Sequence, residues 1–154
     1  MHTTRRHRVI RAPVEELWDV VRDPHHLPRW WPRVSRVEAV AEDAFTEVLK
    51  SDKGKLVRAD FTLIEADAAQ RRLVWSQELE NSPFARLLAS AETEVQLVVK
   101  GQDTDVTIEL RQSLTGFFPR FGGYLVRRAA VATLEEALNG LERIGTRDEA
   151  VSNG

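Results

Sequence analysis

Residues 11–32 read Arg11-Ala12-Pro13-Val14-Glu15-Glu16-Leu17-Trp18-Asp19-Val20-Val21-Arg22-Asp23-Pro24-His25-His26-Leu27-Pro28-Arg29-Trp30-Trp31-Pro32. Pro13 suits a first helical position, where its missing N–H has no intrahelical partner to lose. Val14, Leu17, Trp18 and Val21 then fall at i, i+3, i+4 and i+7, which is one face of a helix. Glu15 and Glu16 lie in its first turn, at the positive end of the helix dipole. Asp23-Pro24 ends this helix and opens a second, in which Leu27, Trp30 and Trp31 repeat the helical spacing until Pro32 stops it within about two turns. Before this pair of short helices, His7 to Arg11 reads as a short strand. The charges at Arg5, Arg6, Arg8 and Arg11 suit the wet side of a sheet edge better than a phosphate-binding patch.

Beyond Pro32 the period changes from helical to alternating. Strands are predicted near Val34 to Val40, Phe45 to Ser51, Leu56 to Ala66, Arg71 to Glu78, Thr93 to Lys100 and Thr104 to Leu114. Asp52-Lys53-Gly54 and Gly101-Gln102-Asp103 are short hairpin connections, so neighbouring strands run antiparallel. Alternation places Val57, Ala59, Phe61 and Leu63 on one face, with Leu73 and Trp75, Val95, Leu97 and Val99, and Val106, Ile108 and Leu110 making the rest of it. Asp60 and Glu109 fall in the opposite, solvated phase. Asn81-Ser82-Pro83 interrupts the meander. Phe84, Leu87, Leu88 and Ala91 after it read either as a helical turn over a cavity mouth or as a bulged lead into the next strand. Pro119 begins the last element, a helix to about Arg143 with the stripe Ala130, Val131, Leu134, Ala137, Leu138 and Leu141, followed by Ile144. Residues 146 to 154 are polar and without period, and are expected to be disordered. The prediction is one α+β domain over residues 1–146, with a tail at 147–154.

Composition narrows the function classes. The chain has 154 residues, 42% hydrophobic, enough for one domain with one real core. Charged residues of both signs are interspersed and the formal net charge is -2, which argues against nucleic acid as a partner. There is no cysteine, so disulfides, thiolate nucleophiles and thiolate metal sites are excluded, and a cytoplasmic location is expected. No apolar run approaches the ~20 residues of a membrane span. The serine-hydrolase elbow, the P-loop, the dinucleotide glycine motif and the zinc-protease helix motif are all missing. His25 and His26 are sequence neighbours that point to different sides of a helix, so no histidine metal site and no cofactor is expected.

A strand, two short helices, a six-stranded meander and a long terminal helix together leave concave apolar surface to fill. The stretch Arg11 to Trp18, then Asp23, then Leu27-Pro28-Arg29-Trp30-Trp31-Pro32, resembles the opening of START-like (SRPBCC) proteins. That superfamily includes the birch-pollen-allergen fold, lipid-transfer START domains and bacterial polyketide cyclase/dehydrase-like proteins. The resemblance implies a helix-grip fold: a curved antiparallel sheet of about seven strands wrapped around the C-terminal helix, with a hydrophobic cavity between them.

Candidate ligand-binding residues are Trp30, Trp31, Phe61, Trp75, Leu97, Ile108, Gln112, Arg127, Val131 and Leu134. Two adjacent indoles on one short helix cannot share one core, which leaves one for the cavity or its rim. Gln112 and Thr93 continue inward phases and are placed to orient a carbonyl. Arg127 lies within about 20° of Leu134 on a helical wheel, in the apolar stripe. A cation there needs an internal ion pair or an escape to the helix edge; otherwise it anchors the head group of an apolar ligand. No catalytic residue is identified.

Three functions fit. The first is binding or transport of a small hydrophobic ligand such as a lipid, polyketide or isoprenoid-like compound. The second is a polyketide cyclase, aromatase or dehydratase using the same cavity, for which no general base is evident. The third is a protein-interaction module using Phe84 to Leu88 or Phe117-Phe118. A monomer and a homodimer are both compatible with the sequence.

Overall fold

A computed structural model describes residues 1–116 and 122–152. Strand β1 (His2–Ile10) leads into α1 (Val14–Val21), a 3₁₀ turn (Pro24–His26) and α2 (Leu27–Trp30). The meander follows as β2 (Val34–Glu38), β3 (Ala44–Lys50), β4 (Leu56–Asp67) and β5 (Arg72–Glu78). A second 3₁₀ turn (Pro83–Arg86) precedes β6 (Leu88–Lys100) and β7 (Asp103–Leu114), and α3 (Gly122–Ser152) closes the fold. All seven strands join one antiparallel sheet in the order β1-β7-β6-β5-β4-β3-β2, so the first strand in sequence sits beside the last. This is the helix-grip arrangement expected from the sequence.

Three boundaries differ from expectation. β1 starts at His2 rather than His7, because β7 offers it a backbone partner at every position from Thr104 to Gln112, whatever the side chains are. β6 starts at Leu88 rather than Thr93. The segment read in two ways contains both answers: a 3₁₀ turn over Pro83–Arg86, then a strand whose register shifts between Leu88 and Ser90. α3 runs to Ser152, beyond Arg143 and through most of the stretch expected to be disordered. Thr146 to Ser152 contains no glycine or proline, so helical hydrogen bonding continues after the apolar stripe ends. The helix start expected at Pro119 lies outside the described residues.

Helix α1 forms as its spacing predicts, with Leu17, Trp18, Val20 and Val21 buried. Asp23 accepts the His25 backbone N–H at 3.0 Å and so caps the turn that separates α1 from α2. Helix α3 buries Ala130, Leu134, Ala137, Leu138, Leu141 and Ile144 in one cluster with Val95, Leu97, Val106 and Ile108 of the sheet. It meets α2 at backbone distance. A Cβ on Gly140 would lie 2.3 Å from the Trp30 carbonyl oxygen, so only glycine permits this crossing. Thr104 Oγ1 donates to the Ala12 carbonyl at 2.8 Å and ties the start of β7 to the entry of α1.

The convex face is wet. Arg72 reaches Glu65 and Glu94, and Arg111 reaches Glu92, Glu94 and Glu109, which makes a cross-strand lattice of ion pairs. Asp60 is exposed there and accepts from Thr46 Oγ1 at 2.6 Å. On the edge strand, Arg8 bonds Glu135 at 2.7 Å and Glu142 at 2.9 Å and straps β1 to α3.

Candidate functional site

Side chains on the concave face change character along each strand. On β7 the inward sequence runs Val106, Ile108, Leu110, Gln112; on β6 it runs Leu97, Val95, Thr93, Ala91; on β5 it runs Leu73, Trp75, Gln77. The ladder aligns these changes, pairing Val95 with Ile108, Thr93 with Leu110 and Ala91 with Gln112 across β6 and β7, and Trp75 with Thr93 across β5 and β6. Aliphatic residues therefore collect at one end of the concave face, and aromatic, small and polar residues at the other.

At that second end a cavity of about 190 Å³ remains between sheet and helix. Its floor is Ala59, Phe61, Trp75, Thr93, Leu110 and Gln112 from the sheet, and Trp31 and Thr133 cover it. Phe84 borders it from the second 3₁₀ turn. That turn is held by Ser82, whose Oγ accepts the Phe84 N–H at 3.2 Å and donates to the Leu79 carbonyl at 2.7 Å. The aromatic side of the cavity is consolidated by Trp31 against Trp75, edge to face at 6.2 Å, and by Phe45 stacked on Phe61 at 5.2 Å.

Glu47 is the unusual group. It lies on β3 opposite Ala59, in phase with Phe45 and Leu49, lines the cavity, and is 3% exposed. Among the described residues its carboxyl has no hydrogen-bond or ion-pair partner. Burial without compensation disfavours the anion and pushes the Glu47 carboxyl up to about 8. Arg33, also on the lining, does not answer it, because its guanidinium is paired with Asp52 at 3.0 Å. The side chains of Gln77, Thr93 and Gln112 on the same wall are likewise uncommitted among the described residues.

Of the residues proposed from sequence, Trp31, Phe61, Trp75 and Gln112 line this cavity, together with Thr93. Trp30 and Trp31 divide as their adjacency required: Trp30 is buried in the core against α3, and Trp31 turns to the cavity. Trp30 Nε1 finds no acceptor among the described residues. Leu97, Ile108 and Leu134 are fully packed core residues rather than lining. Val131 is partly buried and does not border the cavity. Arg127 is exposed, not buried in the apolar stripe. It precedes Leu134 by two turns, about 10 Å along the axis, where Tyr124 and Leu125 are also exposed and α3 has not yet reached the core. Of the segment Phe84 to Leu88, Phe84 is part-buried and lines the cavity while Leu87 is exposed, and Phe117-Phe118 lies outside the described residues.

A sequence profile described as polyketide cyclase / dehydrase and lipid transport matches residues 1–144. The chain belongs to this family. Solved structures agree on the fold. A START superfamily protein from Mycobacterium smegmatis superposes with a TM-score of 0.77 at 16% identity, covering 96% of this chain and 99% of that one. A Thermus thermophilus protein gives 0.75 at 25% identity, covering 96% and 99%. An aromatase/cyclase from a Streptomyces species gives 0.70 at 16% identity, covering 95% and 94%. No curated protein matches the sequence. Family and fold fit ligand binding or cyclase-type chemistry.

Membership of the polyketide cyclase/dehydrase and lipid transport family does not point to Glu47, and the residue is not among the candidates named from the sequence. The signal was present in the alternation of β3, where Phe45, Glu47 and Leu49 share one phase and Glu47 breaks an otherwise apolar series. Among the described residues no group of three or more histidine, aspartate or glutamate side chains is arranged to hold a metal ion, and no helix is long and apolar enough to cross a membrane.

Proposed function

We propose that this protein binds or carries a small ligand with a largely apolar body in the cavity between sheet and terminal helix. The observation that carries the proposal is the unfilled space of about 190 Å³ on a concave face whose other end is completely packed. Size limits the ligand. An apolar cavity of about 150 Å³ takes up benzene, so this one suits a single ring or a short branched chain, rather than a fully enclosed sterol or polycyclic polyketide. Aromatic walls supply burial at about 25 cal/mol per Å² and the uncommitted polar groups fix orientation.

Native mass spectrometry of freshly purified protein, beside the same sample denatured, tests the proposal. A small mass excess that disappears on denaturation is expected. If no excess is seen and single-ring probes such as toluene and indole also fail to bind in titrations, the proposal falls.

Cyclase- or dehydratase-type catalysis is the second reading, and Glu47 is the observation in its favour. A carboxyl that burial pushes up to about 8 in a cavity lined mainly by apolar side chains has the properties of a general acid or base. Turnover of a carbonyl substrate that is unaffected by Glu47→Gln would remove that role.

A further inference from the structure

The lining contains an acid without a partner and four aromatic side chains: Trp31, Phe61, Trp75 and Phe84. A buried carboxyl with neither cation nor hydrogen-bond donor is costly in a folded chain, and a simple hydrophobic carrier has no use for one. Val37 on β2 and Ala59 on β4 lie opposite it in the sheet, and Trp31 and Arg33 beyond α2 and Thr133 on α3 line the same cavity. Arg33 is the charged group among them, and Asp52 already holds it at 3.0 Å. The missing complement to Glu47 is therefore a cation that the described part of the chain does not provide. The aromatic surfaces around the same space favour one, since indole and phenyl faces attract ammonium groups, more strongly when water is excluded.

We propose that the ligand is a small primary or secondary amine of single-ring size, whose ammonium group pairs with Glu47 while its apolar body rests against Trp31, Trp75, Phe61 and Phe84. This rests on the binding reading above and adds the chemical class. Charge balance fixes a signature. Burial pushes the Glu47 carboxyl up to about 8, so the free protein holds it mostly protonated at pH 7; the amine arrives as R–NH₃⁺ and the complex contains carboxylate and ammonium, so close to one proton leaves to solvent for each ligand bound. A neutral ligand accepting a hydrogen bond from the un-ionised acid would release none, and a carboxylate ligand would be repelled.

The test is calorimetric titration with four probes that share a ring: benzylamine, benzyl alcohol, benzoate and toluene. Each is run at pH 7 in two buffers of different ionisation enthalpy, on the natural protein and on Glu47→Gln. Benzylamine is expected to bind about tenfold more tightly than benzyl alcohol, as charge-assisted pairing outweighs the deprotonation of Glu47. It should release about one proton per ligand, and benzoate should bind worst. Glu47→Gln keeps the shape of the site and should erase both the preference and the proton release. Equal affinity for amine and alcohol, an amine preference that survives Glu47→Gln, or amine binding without proton release overturns the proposal. Failure of all four probes, toluene included, overturns the cavity reading itself, and is thereby distinguished from toluene binding without amine preference.

Discussion

The two ends of the concave face are built from the same strands with the same alternation, yet one is solid and the other hollow. At the solid end Val95, Leu97, Val106 and Ile108 meet Leu134, Leu138 and Leu141 of α3 with essentially no exposure, and Gly140 brings α3 onto the backbone of Trp30. At the hollow end the same strands present Thr93, Gln112, Trp75 and Gln77, and the covering residues Trp31 and Thr133 do not reach down to fill the space. The packed core lies at one end, and the space proposed to bind a ligand lies at the other. Close packing is the default in protein interiors, so a hollow lined with uncommitted polar groups is the departure that needs a function.

The largest effect should come from exchanging the character of the two ends. Leu134→Ala empties part of a packed core and is expected to cost about 2–5 kcal/mol, because surrounding side chains collapse only partly into the space. Ala91→Leu adds volume at the hollow end, where Ala91 borders the cavity, and is expected to change stability by less than about 1 kcal/mol while blocking uptake of single-ring probes. Chemical denaturation of both variants beside a probe titration checks the pair. A Leu at position 91 that cost as much as the Leu134 truncation would show that the hollow end is as tightly packed as the other.

Glu47 gives an effect whose sign is unusual for a carboxylate. Burial raises the folded-state value from near 4.5 to about 8, so between these limits the native state holds a proton that the unfolded chain has released. The stability contribution is fully present below about pH 4.5, declines by about 1.4 kcal/mol per pH unit through the window, and is exhausted above about 8. Denaturation midpoints measured from pH 4.5 to 8.5 should therefore fall more steeply for the natural protein than for Glu47→Gln, whose amide does not titrate. Parallel curves would mean that water or a counter-charge reaches Glu47 in solution.

Most of the fold was legible in the sequence because it depends on period and punctuation. Val14, Leu17, Trp18 and Val21 specify one helix face, Asp23-Pro24 separates two helices, and alternation marks the strands from Val34 onward. Boundaries were less legible where partners elsewhere in the chain decide them: β1 is extended by β7, and β6 reaches Leu88 by pairing with Leu114. The site was half legible. Phase alone brought Phe61, Trp75, Thr93 and Gln112 to the cavity face, but phase does not say how deep along the strand a residue lies. Leu97 and Ile108 are in the same phase as the lining and belong to the solid end. Glu47 was missed for a different reason: a charged residue in an apolar phase reads as an exception to the pattern, when here it is buried in the wall of the cavity.

Arg127 carries that limitation to its smallest measurable consequence. A helical wheel gives the angle of a side chain about the axis and nothing of its position along it. By angle, Arg127 belongs with Leu134, which is wholly buried; by position, it lies two turns earlier, on a stretch of α3 where Tyr124, Leu125 and Arg128 are exposed and Ala130 is the next residue to enter the core. With its side chain exposed, it has no desolvation cost to offset, and it is not among the residues that line the cavity with Glu47 and Trp75. Arg127→Met should therefore shift stability by no more than about 0.5 kcal/mol and leave the affinity of single-ring probes unchanged, as thermal denaturation and a probe titration would show. A tenfold loss of affinity in that variant would mean that the first turns of α3 fold down over the hollow end when ligand binds, and the contrast between a solid and a hollow end would then describe the empty protein alone.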